Sequence, residues 1–208
     1  MKVELLSITQ GGEYQCGARG AICYNSKTDE KSSAKRLKSC LKVGHTSVLR
    51  FAHATFGISN LSRKSADQLM RHAFIDKLCE STRYVNKVDV AVVMPSRISK
   101  SLLLTEVFNE GVKSAGEIYK RLIDLGAKKE DAAYLLPLGF ETGLQLVGNF
   151  QAWLDFLTGD SSRLSQRVQN ETRLIAIEIY KILNKEAPQV FPETLGEEYG
   201  INIGEDDE

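Results

Sequence analysis

The chain has no run of apolar residues approaching the roughly 20 positions that a membrane-spanning helix needs. Its opening MKVELLSITQGG lacks the apolar stretch of a secretory signal. Cysteines are few. Cys16, Cys23, Cys40 and Cys79 form no CxxC pair and have no histidine ladder nearby, which argues against a zinc site, so no metal is expected. They are read as reduced, small buried or half-buried side chains of a cytoplasmic protein, or of a host cytoplasm if the source is viral. Charge of one sign is also missing. Lys+Arg and Asp+Glu are both 27, so bulk charge favours neither a nucleic-acid nor a membrane partner. No repeat or linker interrupts the pattern. The remainder is 208 residues, 42% apolar, enough for one domain with a real core.

Periodicity outlines the elements. Residues 2–8 alternate apolar and polar as an opening strand. Residues 25–38 begin as a loop and end in a helix carrying Leu37, Leu41 and Val43 toward Gly44. Ser47 is placed to cap a short helix after the Gly-His-Thr-Ser turn. A strand is expected at 54–59 and a helix over 62–78, where Ala66, Leu69, Met70 and Phe74 recur at three- and four-residue steps, with Ser62 or Ser65 as cap. Residues 88–94 read as extended up to Pro95. Further helices are expected at 101–126, with Gly126 as its stop, and at 129–136, 150–157 and 163–183. A strand is expected at 142–147 and a turn at 158–160. This is an α+β pattern: a single domain at 1–190, mainly antiparallel sheet flanked by helices, then an acidic, frayed tail at 191–208.

The chemistry concentrates in residues 68–84. On a helix, Gln68, Arg71 and His72 would lie within about one turn of one another. Then come Glu80, Ser81, Thr82 and Arg83. A serine and an arginine two apart, in a turn with free backbone N–H groups, suit a phosphate. Hydroxyl and amides donate to it, and the guanidinium adds a bidentate charged pair. Read alone, the same residues also suit a solvated basic face followed by an ordinary loop.

The segment resembles the signature of the flavin-dependent thymidylate synthases: Arg-His-Arg, two residues, Ser, one residue, Asn, two residues, Ser, one residue, Arg. Arg71, His72, Ser81 and Arg83 match it in register, and Gln68 matches a recurrent position three residues earlier. Five further segments resemble family elements in the right order: AICYNS at 21–26, GHTSVLRFAHATF at 44–56, GAKKEDAAYLLPLGFET at 126–142, GNFQAWLDFL at 148–157 and SRLSQRVQNETR at 162–173. Several weak motifs in order are far stronger than one. The spacing departs by about three residues within 158–162.

The resemblance implies a thymidylate synthase-complementing fold and the conversion of dUMP to thymidylate. FAD would be the cofactor, with NADPH and methylenetetrahydrofolate as co-substrates, in a homotetramer with shared active sites. It implies that Gln68, Arg71, Glu80, Ser81, Thr82 and Arg83 hold dUMP, with Ser81 and Arg83 on its phosphate. Arg71 and His72 would also touch FAD. Ser47, Asn149 and Gln151 stand at flavin-side positions, and His45 on the folate and nicotinamide side. Arg163 would sit against the uracil ring, where charge developing on the ring oxygens and N3 needs a fixed cation, and is the expected catalytic residue. The flavin-free thymidylate synthase uses a cysteine after a proline. No Pro-Cys occurs here, because Ser, Leu, Gln and Glu follow the four prolines.

Departures are visible. Ala73, Asp76 and Leu78 replace the second Arg, the middle Ser and the Asn of the signature. Ala133 replaces an arginine that assists phosphate binding, Gln151 an arginine after Asn149, and Asp155 a flavin-contacting Asn. Arg50-Phe51 stand where the family has Glu-His. They leave two alternatives open: a related hydroxymethylase or other one-carbon transferase on a pyrimidine deoxynucleotide such as dCMP, and a non-catalytic nucleotide-binding relative. His53 is expected to face the core or a helix, Trp153 to serve packing, and Glu171 and Arg173 to hold the last helix.

Overall fold

The computed structural model describes residues 1–159 and 162–203. Asp160, part of the expected turn, its neighbour Ser161 and the last five residues of the expected tail lie outside the described residues. The architecture is α+β, with one four-stranded antiparallel sheet flanked by helices. The strands are β1 (Lys2–Ile8), β2 (His53–Ser62), β3 (Asp76–Cys79) and β4 (Glu141–Asn149), in the order β1-β2-β4-β3. The helices among the described residues are α1 (Gly12–Arg19), α2 (Glu30–Lys42), α3 (Arg63–Leu69), α4 (Leu102–Asp124), α5 (Lys129–Ala132), α6 (Phe150–Leu157), α7 (Asn170–Glu186) and α8 (Glu193–Glu198). The chain forms two compact units. The first comprises residues 1–2, 58–71 and 78–144; the second comprises 3–57, 72–77 and the chain from Gln145 onward.

The second unit holds most of the aromatic core. Trp153 of α6 is fully buried, with Phe56 edge-on at 5.0 Å and Phe156 at 5.5 Å. Its indole N–H donates to the Ala54 carbonyl at 3.0 Å, so its one polar group is satisfied. Each such buried side chain contributes about 1.5–3 kcal/mol over leaving it exposed. α1 packs on α2. At Gly17 the backbones approach so closely that a Cβ would lie 2.1 Å from the Ser33 carbonyl oxygen. Arg36 stitches the same contact, donating to the carbonyls of Gly17 and Lys27, each at 2.8 Å. α7 turns Ile175, Ile179, Tyr180 and Leu183 inward.

In the first unit, Ser62 caps α3 by accepting from the Ser65 N–H at 3.0 Å, and Ser101 caps α4 by accepting from Leu104. α4 stops at Gly126, which holds the left-handed φ of +88° that glycine adopts without strain. Of the 23 residues of α4 only Tyr119 is buried, while Leu102, Leu103, Leu104, Val107 and Ile118 are exposed.

Several expectations are corrected. The helix expected over 62–78 ends at Leu69, and residues 76–79 form β3. Phe74, counted on the apolar face, is 74% exposed. Sheet pairing overrides the local period here, with the Glu80 N–H, just past β3, bonded to Gly143 O at 2.9 Å. The helix expected over 163–183 starts at Asn170, where the Gln169 side chain accepts from the Thr172 N–H at 3.1 Å. Ser47 caps nothing. It lies inside a 3-10 turn, Thr46–Phe51, whose N-cap is His45 with no side-chain cap bond. Val43 and His53 are exposed. Cys23 is exposed too, whereas Cys16 and Cys40 are buried and Cys79 half-buried. The stretch expected to fray contains α8, with Leu195 and Ile201 buried. The Tyr180 hydroxyl donates to Pro192 O at 2.9 Å and accepts from Gly196 N at 3.0 Å. α1 has no counterpart among the expected elements.

Candidate active site

The expected site residues divide between the two units, with the boundary between Arg71 and His72. In the first unit, Gln68 is half-buried near the end of α3 and Arg71 is exposed just beyond it. β3 then delivers the turn at 80–83. Its backbone closes locally, with Val85 N–H donating to Ser81 O at 3.0 Å and Arg83 N–H to Ser81 Oγ at 3.3 Å. Ser81 and Thr82 are half-buried and Arg83 is exposed. The Arg83 guanidinium meets the Glu130 carboxylate of α5 at 2.7 Å, and Lys129 Nζ donates to Tyr84 O at 2.9 Å. A short acidic helix therefore steadies the outer end of the turn. The pair is exposed, so Arg83 is free to exchange that carboxylate for a phosphate at little cost.

The inner end is steadied differently. Glu80 forms an ion pair with Lys87, which is only 6% exposed. Lys87 Nζ also donates to Glu141 O at 2.9 Å, and its backbone N–H donates to the Tyr119 hydroxyl at 3.2 Å. The motif reading did not find Lys87 or Glu130 as holders of this turn. Glu130 carried a signal, as an acidic residue in the first turn of a short helix. Lys87 carried none, because its burial depends on tertiary packing.

In the second unit, His72, Gln151, Asp155 and Arg163 come together. The His72 ring packs edge-on against Phe156 at 5.6 Å. Burial first, and then the Arg163 guanidinium, hold the imidazole below its usual range, while Asp155 works against them. His72 is thus neutral at pH 7. Gln151 Nε2 donates to Asp155 Oδ1 at 2.8 Å, which joins two of the family departures in one hydrogen-bonded pair. His72 Nδ1 and Gln151 Oε1 are both buried without a protein partner, a costly state that a ligand can relieve. Asn149 caps α6, its Oδ1 accepting from the Ala152 N–H at 2.9 Å, which leaves its amide NH2 for another group. His45 and Ser47 are exposed on the 3-10 turn after α2. Arg163 is half-buried, its N–H bonded to Phe156 O at 2.9 Å. Glu171 opens α7, and Arg173 donates to the carbonyls of Leu164 and Tyr199, a structural role.

Among the described residues no cluster of His, Cys, Asp and Glu could hold a metal ion. No described helix is long and apolar enough to cross a membrane.

An α+β chain with a turn bearing Ser81, Thr82 and Arg83 and a polar cluster around a half-buried histidine is compatible with an enzyme site. A family model described as "Thymidylate synthase complementing protein" matches residues 4–189, and the chain belongs to that family. Its relatives are enzymes by name. The chain is 31% identical over 201 residues to a protein of Geobacter sulfurreducens named "Flavin-dependent thymidylate synthase", spanning 92% of this chain and 85% of the relative. Proteins of the same name from Mycolicibacterium vanbaalenii and Mycobacterium tuberculosis are each 32% identical over 200 residues, covering 87% of this chain and 79% of their own length.

Proposed function

We propose that this chain methylates dUMP to dTMP, using FAD as cofactor, methylenetetrahydrofolate as carbon source and NADPH as reductant. We further propose a cytoplasmic homotetramer with shared active sites. The observation that carries the reading is the cluster of His72, Gln151 and Arg163 in a chain whose relatives bear that enzyme's name. Its two partnerless buried atoms fit a polar, partly buried cofactor such as FAD. His72, Asn149, Gln151 and Ser47 would hold it, with Arg71 near by and His45 on the folate side. Bound FAD supplies hydride chemistry, which removes the need for a protein nucleophile.

The chain's own residues do the rest. Ser81, Thr82 and Arg83 would grip the phosphate of dUMP through hydroxyl, backbone and guanidinium donors. Gln68 and Arg71 would orient the nucleoside, and Glu80 would anchor the turn. Arg163 would stabilise negative charge on the pyrimidine as it develops, where a fixed, partly desolvated cation is worth several kcal/mol, about 2.7–4 in comparable sites. A neutral His72 beside it adds no second charge to compete. The exposed apolar side of α4 supports subunit association.

A second reading, hydroxymethylation, is prompted by the altered flavin side, where Gln151 and Asp155 replace the residues of the resembled pattern and bond to each other. One experiment separates them. The purified chain is reconstituted with FAD and its visible spectrum recorded. It is then incubated with dUMP, NADPH and methylenetetrahydrofolate, and the nucleotide is weighed by mass spectrometry. A gain of one methyl group supports the first reading, and one hydroxymethyl group the second. A protein that stays colourless and leaves dUMP unchanged refutes both.

A further inference from the structure

Lysine is among the residues least often buried, because its ammonium must find a full set of partners once water is removed. Lys87 is buried and has such a set. Its Nζ pairs with the Glu80 carboxylate, donates to Glu141 O at 2.9 Å, and stands 5.5 Å from the centre of the Phe140 ring. Its backbone N–H reaches the Tyr119 hydroxyl of α4 at 3.2 Å. One lysine thus joins three pieces of the first unit: the residue that opens the turn at 80–83, the start of β4, and the single buried residue of α4.

Glu80 poses a problem that Lys87 solves. It immediately precedes Ser81, and a loose carboxylate there would repel a phosphate held by the same turn. Its backbone N–H is fixed on Gly143 O at 2.9 Å. With its side chain neutralised and held by Lys87, both the direction of the turn and its local charge are set.

We infer that Lys87 is a positioning residue for phosphate recognition, locking Glu80 so that Ser81 and Arg83 face an anionic ligand across a neutralised carboxylate. The inference rests on the proposed role of the turn in gripping the dUMP phosphate. It assigns Glu80 to the support of the turn, with no direct contact to the phosphate.

The test compares calorimetric affinities of the full chain for dUMP and for deoxyuridine, which lacks the phosphate. Three variants are used: Lys87→Arg, Lys87→Met, and the double variant Glu80→Gln with Lys87→Met. The double variant leaves no unpaired buried charge and keeps the net charge, so it folds even if Lys87→Met does not. The wild type is expected to prefer dUMP. Lys87→Met and the double variant should lose about tenfold or more of that preference with deoxyuridine binding unchanged, and Lys87→Arg should keep most of it. A folded double variant with the wild-type preference for dUMP overturns the inference, as does an equal loss for both ligands. A wild type that does not distinguish dUMP from deoxyuridine instead removes the phosphate role of the turn, and the inference with it.

Discussion

Asn149 has one observed duty and one proposed duty, on different atoms, and two substitutions separate them. Its Oδ1 caps α6, accepting from the Ala152 N–H at 2.9 Å. Its NH2 is the group proposed to meet the flavin. Asn149→Ala removes both. Loss of such a cap costs about 1 kcal/mol, within roughly 0.5–2. The upper half of that range is expected here, because the first turn of α6 carries buried Phe150, Ala152 and Trp153. For a chain of this size each kcal/mol lowers the melting temperature by about 2–4 °C. Asn149→Asp keeps an acceptor at the cap and adds a negative charge at a helix N-terminus, a change worth about 0.3–1 kcal/mol in its favour. It has no NH2 to donate. Losing one hydrogen bond of about 0.5–1.5 kcal/mol weakens flavin binding roughly two- to twelvefold, and charge repulsion adds to that. The assays are thermal unfolding of the flavin-free protein and titration of FAD by fluorescence quenching. Asn149→Ala should fail in both, and Asn149→Asp in the second alone. If Asn149→Asp melts as low as Asn149→Ala, the capping argument is wrong. If it binds FAD as tightly as the wild type, the flavin contact is wrong.

Three more outcomes are expected. His72 titrates below its ordinary value of 6.5, so the fold disfavours its protonated form. Its contribution to stability is fully present above about pH 6.5 and is lost as pH falls from there through the lower folded-state pKa. NMR titration should show that value rising in Arg163→Ala and falling further in Asp155→Asn; no movement in either would contradict the proximity argued above. Gly17→Ala places a Cβ 2.1 Å from a backbone oxygen of α2 and should destabilise by about 3 kcal/mol or more in urea unfolding. Trp153→Phe keeps an aromatic ring but strands the buried Ala54 carbonyl and leaves a gap, for a loss of about 2–4 kcal/mol by the same measurement.

Elements with a local cause were legible in the chain. β1 and α6 fall on the residues where alternation and apolar period place them, and α4 stops where Gly126 permits. The candidate site's residue types could be proposed because motifs keep their spacing. What was hidden depends on partners distant in sequence. Residues 70–79 carry a helical period, yet β4 draws the end of that stretch into the sheet. α1 is short and holds two glycines in eight residues, so no apolar stripe announces it; its reason to exist is the close approach of Gly17 to α2. Lys87 looks like any surface lysine until Glu80 and Glu141 are folded around it. Arg83 and Glu130 both lie in matched segments, but their pairing was hidden, because an exposed ion pair leaves no trace in the periodicity of either partner.

If copies associate as proposed, α4 would give this protein a dependence on its own concentration. A 23-residue helix that buries one side chain and leaves five large apolar ones wet gains little from folding by itself. Were copies to associate through that side, the stabilisation would follow mass action, and the melting temperature would rise with the amount of protein present. Dilution would then act as a mild denaturant directed at the first unit. The turn at 80–83, tied to α4 through Lys87 and Tyr119, would loosen in step with it, so nucleotide affinity would fall as the sample is thinned, with no change in any ligand-binding residue.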